Sequence, residues 1–408
     1  MHKKSYLFNK KILLGITGSI SAYKSITLVR LLIKLGAKVQ VILTPSAKDF
    51  VSPLVLSVLS KNKVLSDFFS NSKNPEWNNH IELALWADLI LVAPTSANTI
   101  SKLNFGSCDN LLLSIILSRR CPVIIAPAMD HDMFLNDITT RNIQQLKKNN
   151  FQFIDVGKGD LASGLKGLGR VAEPEDIIKY LDNFIKKISP LKDVNCLVTA
   201  GPTYEKIDPV RYIGNYSSGK MGVAIAHELA ELGANVNLII GPSALKISPN
   251  INVINVESTQ QMYDECIEKF SQSKLTFFSA AVSDYTPKDY KKNKIKKKTD
   301  DISILLKKTI DILQSLGKKK RSDQFLVGFA LETENEVNNA IEKMIRKNLD
   351  MIVLNSMNDD QSCFGYDTNK VTLINNDKHI EELPLMSKKN VAKYIIKSCR
   401  ELFKKELI

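Results

Sequence analysis

Two segments of the chain share one order of apolar and polar positions. In each, a short apolar run precedes leucines and isoleucines spaced three and four residues apart, and a second apolar run follows. The paired runs are Lys11–Ile16 with Lys38–Leu43, and Asn195–Ala200 with Asn235–Ile240. This order predicts a strand, a helix and a strand in both places. Strand–helix–strand units in turn predict parallel sheets with helices on both faces.

The same short sequence ends both predicted helices. Leu-Gly-Ala-Lys-Val occupies residues 35–39, and Leu-Gly-Ala-Asn-Val occupies residues 232–236. A glycine directly after a helix adopts the left-handed conformation that ends it, so we expect Gly36 and Gly233 at these helix ends. Further apolar runs predict strands at Asp88–Ala93, Pro122–Ala126, Phe151–Val156, Leu275–Ala280, Gln324–Ala330 and Asp350–Leu354. A proline among polar residues near residue 190 separates the halves. We therefore predict an α/β protein with two domains, residues 1–190 and 191–408.

Composition places the chain among ordinary globular proteins. Of its 408 residues, 44% are hydrophobic and 24% are charged. No apolar run reaches the roughly 20 residues that a membrane-spanning helix needs. The six cysteines lack CxxC spacing, which is typical of free thiols in a reducing compartment. We therefore predict a cytoplasmic protein without a membrane partner.

The formal net charge of +13 raises the question of a nucleic-acid partner. Lysine is spread along the whole chain, and no zinc-finger or RNP-like motif accompanies it, so nucleic acid is not predicted as a partner. A basic protein also suits small anionic ligands.

The loops that follow strands are the candidate sites, because ligands of parallel sheets bind beyond the carboxyl ends of the strands. In the first half these loops are Gly15–Ile20, Pro94–Thr99, Pro127–Met133 and Gly164–Arg170. Small and hydroxyl residues at a helix start suit an anion, but they also make tight turns and cap helices, so both interpretations stay open. The glycines of the last loop indicate a mobile flap. His80 opens a helix before a predicted strand and is either structural or catalytic.

A long loop spans residues 199–222 in the second half. Within it, Gly214–Lys220 satisfies the spacing G-x-x-x-x-G-K, but Met221 replaces the hydroxyl residue that binds magnesium in a P-loop. We therefore predict a phosphate-binding turn other than Walker A. Arg211 either clamps a phosphate or carboxylate or is solvated. The lysine-rich run Lys288–Lys298 is either a solvated charge run or a flap for a triphosphate.

Together these motifs resemble the bifunctional coenzyme A biosynthesis proteins, in which phosphopantothenoylcysteine decarboxylase is fused to phosphopantothenate–cysteine ligase. The resemblance covers nearly the whole chain. The matching stretches of the second half are Thr199–Thr203, Asp208–Ile213, Asn215–Gly222, Ala280–Tyr285, Lys294–Lys297, Val327–Ala330, Glu332–Thr333 and Arg346–Asp350. Those of the first half are Gly15–Lys24, His80–Trp86, Pro94–Thr99 and Pro127–Met133.

The resemblance implies a flavodoxin-like FMN-binding domain followed by a Rossmann-like CTP-binding domain. The ligase would use CTP and Mg²⁺ to activate 4′-phosphopantothenate as an acyl-cytidylate, which the amine of cysteine attacks. FMN-dependent decarboxylation to 4′-phosphopantetheine would follow. A homo-oligomer, a dodecamer, is implied as well, whereas the metal ligands are not assigned.

The same resemblance assigns roles to individual residues. His80 is the catalytic histidine of the decarboxylase, and Arg211 and Asn215 serve the acyl-cytidylate. The FMN-binding positions are Gly18, Ser19, Thr44, Ser96 and Thr99. The CTP-binding positions are Ser279, Ala280, Asp284, Lys294, Asp311, Phe329, Lys343 and Lys347.

Two catalytic positions depart from the motifs of this family. Asp130 stands where the family has the asparagine that contacts the substrate carboxylate, and Ser163 stands where its flap has a proton-donating cysteine. An ionised aspartate beside a carboxylate is a like-charge pair, and a serine hydroxyl is a far weaker acid than a thiol. We therefore expect slow decarboxylation or none. The alternative function is a flavin-binding regulatory or scaffold protein with a vestigial decarboxylase site.

Overall fold

The computed structural model describes residues 5–69, 76–296, 302–356, 365–377 and 379–406. The chain divides into two compact units, one at residues 5–188 and one from residue 189 onward. The predicted boundary near residue 190 lies beside this division. Lys297 and Lys298, the end of the predicted lysine-rich run, lie outside the described residues.

The first unit is built on a five-stranded parallel sheet with a separate hairpin. Its strands are β1 (Lys11–Ile16), β2 (Lys38–Leu43), β3 (Leu89–Thr95), β4 (Val123–Pro127), β5 (Gln152–Phe153), and the hairpin strands β6 (Gly157–Asp160) and β7 (Lys166–Arg170). The sheet order is β2-β1-β3-β4-β5, with every pairing parallel. This is the flavodoxin-like order, so the predicted fold of the first half is confirmed. The strand predicted at Phe151–Val156 is wrong in length, because only Gln152–Phe153 pairs with β4.

Helices cover both faces of this sheet. They are α1 (Lys24–Lys34), α2 (Pro53–Ser60), α3 (His80–Trp86), α4 (Ala97–Phe105), α5 (Leu111–Leu117), α6 (His131–Leu135), α7 (Asp137–Lys148) and α8 (Pro174–Ile188). Alternate residues of β1 enter two different cores. Ile12 and Leu14 lie in one buried cluster with residues of α1 and α8, whereas Leu13 lies in the other with residues of α5.

The second unit contains an eight-stranded sheet. Its main strands are β8 (Asn195–Ala200), β11 (Asn235–Ile240), β12 (Asn252–Asn255), β13 (Leu275–Phe278), β16 (Phe325–Glu332), β17 (Met351–Ser356), β19 (Thr372–Asn375) and β20 (Ile380–Glu382). The order is β12-β11-β8-β13-β16-β17-β19-β20, and the first six strands are mutually parallel. Numbered along the chain, those six strands have the order 3-2-1-4-5-6, which is the Rossmann order. The predicted fold of the second half is therefore confirmed, and two antiparallel strands extend it.

Within the part of this unit that the structure describes, short strand pairs and five helices complete it. The pairs are β9 (Tyr204–Lys206) with β10 (Tyr212–Gly214), β14 (Tyr285–Pro287) with β15 (Leu306–Lys308), and β18 (Thr368–Asn369) with β21 (Met386–Ser387). The helices are α9 (Lys220–Glu231), α10 (Thr259–Phe270), α11 (Ile312–Lys319), α12 (Glu336–Arg346) and α13 (Lys388–Glu406). Across the described residues, no helix combines the length and apolarity needed to cross a membrane.

The repeated Leu-Gly-Ala sequence ends α1 and α9 in the same way. Gly36 has a φ of +81° and Gly233 a φ of +95°, as predicted for residues that end a helix in the left-handed region. The N–H of Ala37 donates to the carbonyl of Leu32, and the N–H of Ala234 donates to that of Leu229. These hydrogen bonds turn the backbone sharply after each helix and lead it into β2 and β11. The same type of turn therefore positions the second strand of each sheet.

Candidate active sites

The flavin-binding positions predicted in the first unit lie at one edge of its sheet. Gly18 and Ser19 follow β1, Thr44 follows β2, and Ser96 and Thr99 follow β3. The strand order reverses between β1 and β3, and such a switch point opens a crevice at the carboxyl edge of a parallel sheet. The structure therefore brings these five positions to the edge at which a ligand of this fold binds.

Hydroxyl groups at this edge are organised by hydrogen bonds. The Thr17 hydroxyl donates to the Pro94 carbonyl at 3.0 Å and accepts the Ser96 N–H at 2.9 Å, which ties the loop after β1 to the loop after β3. Ser96 caps α4 by accepting the N–H of Thr99 at 3.3 Å. Ser19 accepts the N–H of Ser21 at 3.3 Å and caps a 3₁₀ helix at Ile20–Tyr23. The capping interpretation of Pro94–Thr99 is therefore correct for Ser96, and Ser19 caps a helix start in the same way.

Capping does not conflict with ligand binding here. Both caps place small side chains and backbone N–H groups at helix starts, where an anion is stabilised. The backbone at Gly18 passes so close to Ser46 that a β-carbon would lie 2.8 Å from its hydroxyl oxygen. Gly18 therefore permits this close approach of the loops after β1 and β2.

His80 lies at the same edge of the sheet by topology. It is the first residue of α3, and α3 leads directly into β3, so the start of the helix lies toward the carboxyl end of that strand. Its ring makes edge contacts with Phe68 and Trp77, with centroids 6.4 Å and 6.1 Å away. Within the described residues its Nδ1 is buried without a hydrogen-bond partner. Buried polar atoms normally have a hydrogen-bond partner, so this nitrogen is a candidate for contact with a ligand.

Asp130 lies where the end of β4 meets the β6–β7 hairpin. It precedes α6, and its side chain makes no capping hydrogen bond there. The N–H of Met129 donates to the Gly169 carbonyl at 3.0 Å, and Nδ1 of His131 accepts the N–H of Leu168 at 3.1 Å. A β-carbon at Gly169 would lie 2.2 Å from the Met129 carbonyl oxygen. The base of the hairpin is therefore fixed against the loop that carries Asp130.

Ser163 lies at the exposed tip of the same hairpin. The tip is closed by the Leu161 N–H, which donates to the Leu165 carbonyl at 2.8 Å, and Gly164 takes a φ of +85°. The serine hydroxyl accepts the N–H of Leu165 at 3.5 Å. The predicted flap is thus a two-stranded hairpin with a fixed base and an exposed tip.

The second unit contains a cavity of about 940 Å³ at the carboxyl ends of its parallel strands. Eight of the ten residues assigned to the acyl-cytidylate or CTP line it: Asn215, Ser279, Ala280, Asp284, Asp311, Phe329, Lys343 and Lys347. These residues span more than a hundred positions of the chain, from Asn215 to Lys347, and they meet at the switch point between β8 and β13. The two others, Arg211 and Lys294, are placed in a neighbouring loop pair described below.

Charged side chains dominate one side of this cavity. Lys347 pairs with Asp311 at 2.8 Å, and Asp311 also caps α11 by accepting the N–H of Gln314. Burial opposes ionisation of Asp311, but these bonds and the nearby charges outweigh it, so the pKa of Asp311 lies below its ordinary value. Burial lowers the pKa of Lys343, and the positive charge of Lys347 lowers it further. A bound polyanion would relieve this repulsion.

Two lysines of the cavity wall, Lys308 and Lys388, were not predicted as ligand contacts, and a third, Lys220, ends the predicted phosphate-binding turn Gly214–Lys220. Lys220 pairs with Asp367 at 2.7 Å and donates to the Gly365 carbonyl, while Lys388 donates to the Tyr366 carbonyl at 2.6 Å. Lys388 lies far along the chain from every predicted motif, so no local sequence signal marks it. Lysines outnumber the two carboxylates of the lining, which favours an anionic ligand.

The start of α9 forms another wall of the cavity. Gly219 precedes the helix with a φ of +77° and without a side-chain cap, and Gly219, Lys220 and Met221 line the cavity. Residues 201–219 separate β8 from α9, whereas a P-loop joins its strand to its helix directly. This connection differs from Walker A, in agreement with the prediction, and suits an anion through the helix N-terminus.

Arg211 and Lys294 lie in two adjacent loops. The Arg211 guanidinium donates to the Ile295 carbonyl at 2.6 Å and lies 3.5 Å from the carboxylate of Asp208. Burial opposes ionisation of Asp208, but hydrogen bonds from the N–H groups of Val210, Ile295 and Arg211 outweigh it and lower the pKa of Asp208. Lys294 is exposed beside Ile295.

A metal site built from the protein alone is not evident. Within the described ranges, no three or more histidine, cysteine, aspartate or glutamate side chains are grouped so as to hold a metal ion. The expected Mg²⁺ therefore stays a prediction.

Both halves match known families. A family model described as "Flavoprotein" matches residues 2–186, and one described as "DNA/pantothenate metabolism flavoprotein C-terminal domain" matches residues 191–402. The coenzyme A biosynthesis bifunctional protein CoaBC of Haemophilus influenzae is 42% identical over 401 residues, which are 98% of this chain and 100% of that protein. A cysteine/cysteine sulfinic acid decarboxylase from an unknown prokaryotic organism is 48% identical over 352 residues, 85% of this chain and 98% of that protein.

A solved structure also matches the second half. The crystal structure of the C-terminal domain of a coenzyme A biosynthesis bifunctional protein CoaBC is 39% identical, covers 53% of this chain and 99% of that chain, and has a TM-score of 0.46. The two family models and the full-length relative together identify the chain, which belongs to the family of bifunctional coenzyme A biosynthesis proteins.

Proposed function

We propose that the second unit ligates cysteine to 4′-phosphopantothenate at the expense of CTP. The cavity of about 940 Å³ carries this proposal, because it gathers eight residues assigned to the acyl-cytidylate or CTP and adds three further lysines. The name of the full-length relative supports the same pathway.

The chemistry requires two displacements. The carboxylate of 4′-phosphopantothenate attacks the α-phosphate of CTP, and pyrophosphate leaves with the electron pair of the broken P–O bond. The cysteine amine then attacks the acyl carbon, loses a proton and displaces CMP. Such reactions need positioning and neutralisation of charge more than covalent catalysis by the protein. Lys343 and Lys347 supply positive charge, and Asn215, whose amide donates one N–H to the Val282 carbonyl at 2.8 Å, has a second amide N–H for the substrate.

Mg²⁺ fits this cavity as a partner of the nucleotide. It keeps several waters and binds through one or two carboxylates together with substrate phosphates. Asp311 is already paired with Lys347, whereas Asp284 is an exposed carboxylate of the cavity wall. We therefore assign Asp284 as the carboxylate that would hold the metal.

We propose that the first unit binds FMN and decarboxylates phosphopantothenoylcysteine. The sheet edge fits the cofactor, because Gly18 allows a close backbone approach and Ser19, Thr44, Ser96 and Thr99 present hydroxyls or helix starts there. Bound FMN supplies a reversible acceptor for the electrons of the substrate. The buried Nδ1 of His80 can hold a proton at this edge, and the hairpin can cover the substrate.

Asp130 and Ser163 make slow decarboxylation the expected behaviour. Asp130 makes no capping bond, so its carboxylate can face that of the substrate, and Ser163 offers only a hydroxyl. The 48% identical relative is named for a different substrate, which favours a second candidate, decarboxylation of cysteine or cysteine sulfinate. These substrates carry a carboxylate too, so the substitutions Asp130→Asn and Ser163→Cys test both candidates.

The experiment assays the two half-reactions on one purified sample. Pyrophosphate release should require CTP and 4′-phosphopantothenate together, and cysteine should convert the intermediate into phosphopantothenoylcysteine. With FMN present, carbon dioxide release is compared for phosphopantothenoylcysteine, cysteine and cysteine sulfinate. Absence of pyrophosphate release in the presence of both CTP and 4′-phosphopantothenate, or release that does not depend on 4′-phosphopantothenate, would contradict the ligase.

The cytoplasmic location and the dodecamer also remain proposals. Light scattering coupled to gel filtration measures the mass of the assembly in solution. A monomeric mass would contradict the proposed assembly, and location is tested by fractionating the cells that express the protein.

A further inference from the structure

A buried carboxylate joins two loops of the second unit. Oδ1 of Asp208 accepts the N–H groups of Val210 at 2.8 Å and Arg211 at 2.9 Å. Its other oxygen, Oδ2, accepts the N–H of Ile295 at 3.1 Å. The side chain of Asp208 is 0% exposed, although Arg211 beside it is 37% exposed. One carboxylate therefore fixes the loop at residues 207–211 and a segment more than eighty residues later.

The later segment, Lys288–Lys296, is called the lysine strap below. Besides Asp208, two further hydrogen bonds hold it to the loop: the Arg211 guanidinium donates to the Ile295 carbonyl at 2.6 Å, and the N–H of Lys291 donates to the Ile207 carbonyl at 3.0 Å. The strap also carries Lys294, which is exposed. Arg211 and the lysine strap are thus held as one unit.

We propose that Asp208 is a positioning residue of the ligation reaction, which holds Arg211 and the lysine strap in one arrangement so that both cationic groups reach the substrate together. This inference rests on the proposed ligase function. A buried carboxylate costs free energy unless its oxygens are bonded, and here both oxygens accept N–H groups of the two segments that it joins. An asparagine would keep Oδ1 but turn an N–H toward the N–H of Ile295.

The test compares three variants of the full-length chain. Asp208→Asn removes the anchor of the strap while keeping an acceptor for the turn at Val210 and Arg211. Ile295→Pro removes the single N–H that Oδ2 accepts and leaves Asp208 unchanged. Asp289→Asn, at an exposed carboxylate of the same strap, removes the same charge without touching the anchor and serves as the control.

Two measurements report on the anchor. Limited trypsin digestion scores cleavage after Lys292 by mass spectrometry, a site that remains cleavable in all three variants. We expect cleavage to be about tenfold faster in Asp208→Asn and Ile295→Pro, since each loses a hydrogen bond to the strap. The kcat for pyrophosphate release should fall roughly tenfold in both and stay at the wild-type value in Asp289→Asn.

The variants also define which outcomes would contradict the proposed role of Asp208. Wild-type cleavage and wild-type kcat in Ile295→Pro would overturn the inference even if Asp208→Asn failed to fold. Equal effects in Asp289→Asn would also overturn it, because charge alone would then explain the result. A wild-type protein that releases no pyrophosphate would refute the ligase function instead, and the trypsin measurement would still test whether Asp208 holds the strap.

Discussion

The two units begin with the same strand–helix–strand unit and the same glycine-ended helix, yet their sites are built differently. In the second unit, ligand-facing residues converge on a cavity of about 940 Å³. In the first, the predicted residues lie along a sheet edge, and Ser163, the position of the expected proton donor, lies on an exposed tip. Related topologies therefore place a site at the same edge without giving it the same enclosure.

The difference follows from what covers each sheet edge. The second unit carries its own covering segments, since α9, the β14–β15 pair and the start of α13 all contribute to the cavity wall. In the first unit, the covering segment is the β6–β7 hairpin. Its base is hydrogen-bonded to the loop after β4, and its tip is exposed. We therefore expect ligation to respond to substitutions that change charges or hydrogen-bond donors in the cavity, and decarboxylation to respond to substitutions in the hairpin.

The largest effect is expected for Asn215→Ala. This substitution removes an amide donor from the cavity and should lower kcat for pyrophosphate release by about 10²–10³-fold, the loss seen when one preorganised donor is removed from a transition state. Carbon dioxide release by the first unit should be unchanged. Asn252→Ala, at an exposed position whose amide bonds Asn237, is the matched control. Equal losses in both variants would place the effect outside the cavity.

The next effect concerns the two departures of the first unit. Introducing Asp130→Asn and Ser163→Cys together restores the residues of the family motifs. It should raise carbon dioxide release by about 10²-fold, because a thiol becomes available as proton donor and a like charge is removed. Pyrophosphate release should not change. Asp132→Asn, in the first turn of the same helix, controls for charge. Brisk release by the unmodified chain would contradict the prediction.

One glycine at the base of the hairpin and one at its tip allow the packing of the two regions to be compared. Gly169→Ala should destabilise the first unit by about 1–3 kcal/mol beyond the cost of its φ alone, because the new β-carbon would lie 2.2 Å from a backbone oxygen. Gly164→Ala also carries a positive φ but meets no atom within 4 Å. Urea unfolding followed by circular dichroism compares the two. Equal stabilities would show that the hairpin base is not tightly docked.

The smallest effect is a pH dependence of CTP binding. Burial and Lys347 lower the pKa of Lys343, so its charge is lost at a lower pH than that of an ordinary lysine. CTP affinity should therefore fall by roughly tenfold as pH rises from about 7 toward 10, the worth of one charge-assisted hydrogen bond. Lys343→Arg stays charged and should flatten the profile. Titration calorimetry measures both profiles, and parallel curves would exclude Lys343 as the titrating group.

Much of the fold was predictable, because parallel strands that are buried on both faces are continuous apolar runs. The runs at Lys11–Ile16, Lys38–Leu43, Asn195–Ala200 and Asn235–Ile240 match strand for strand. The antiparallel strand Ile380–Glu382 is short and exposed, so it leaves no such pattern and was not predicted. Local apolar runs identify central strands better than edge strands.

The sites were predictable only where a motif is local. The loop that carries Asn215 could be located because its residues are contiguous, whereas Lys388 joins the cavity through tertiary contacts alone. The role of Asp208 depends on the N–H of Ile295, a residue without any polar side chain. Backbone donors of distant segments leave no trace in side-chain identity.

The clamped base of the β6–β7 hairpin has a consequence for how this chain can change. The backbone N–H of Met129 and the side-chain Nδ1 of His131 hold that base by hydrogen bonds, while the tip from Leu161 to Leu165 is closed mainly on itself. New acids or nucleophiles can therefore be introduced at the tip without rebuilding the scaffold. A library randomised over residues 161–165 would vary the reactive side chain at the tip while the rest of the first unit stays unchanged.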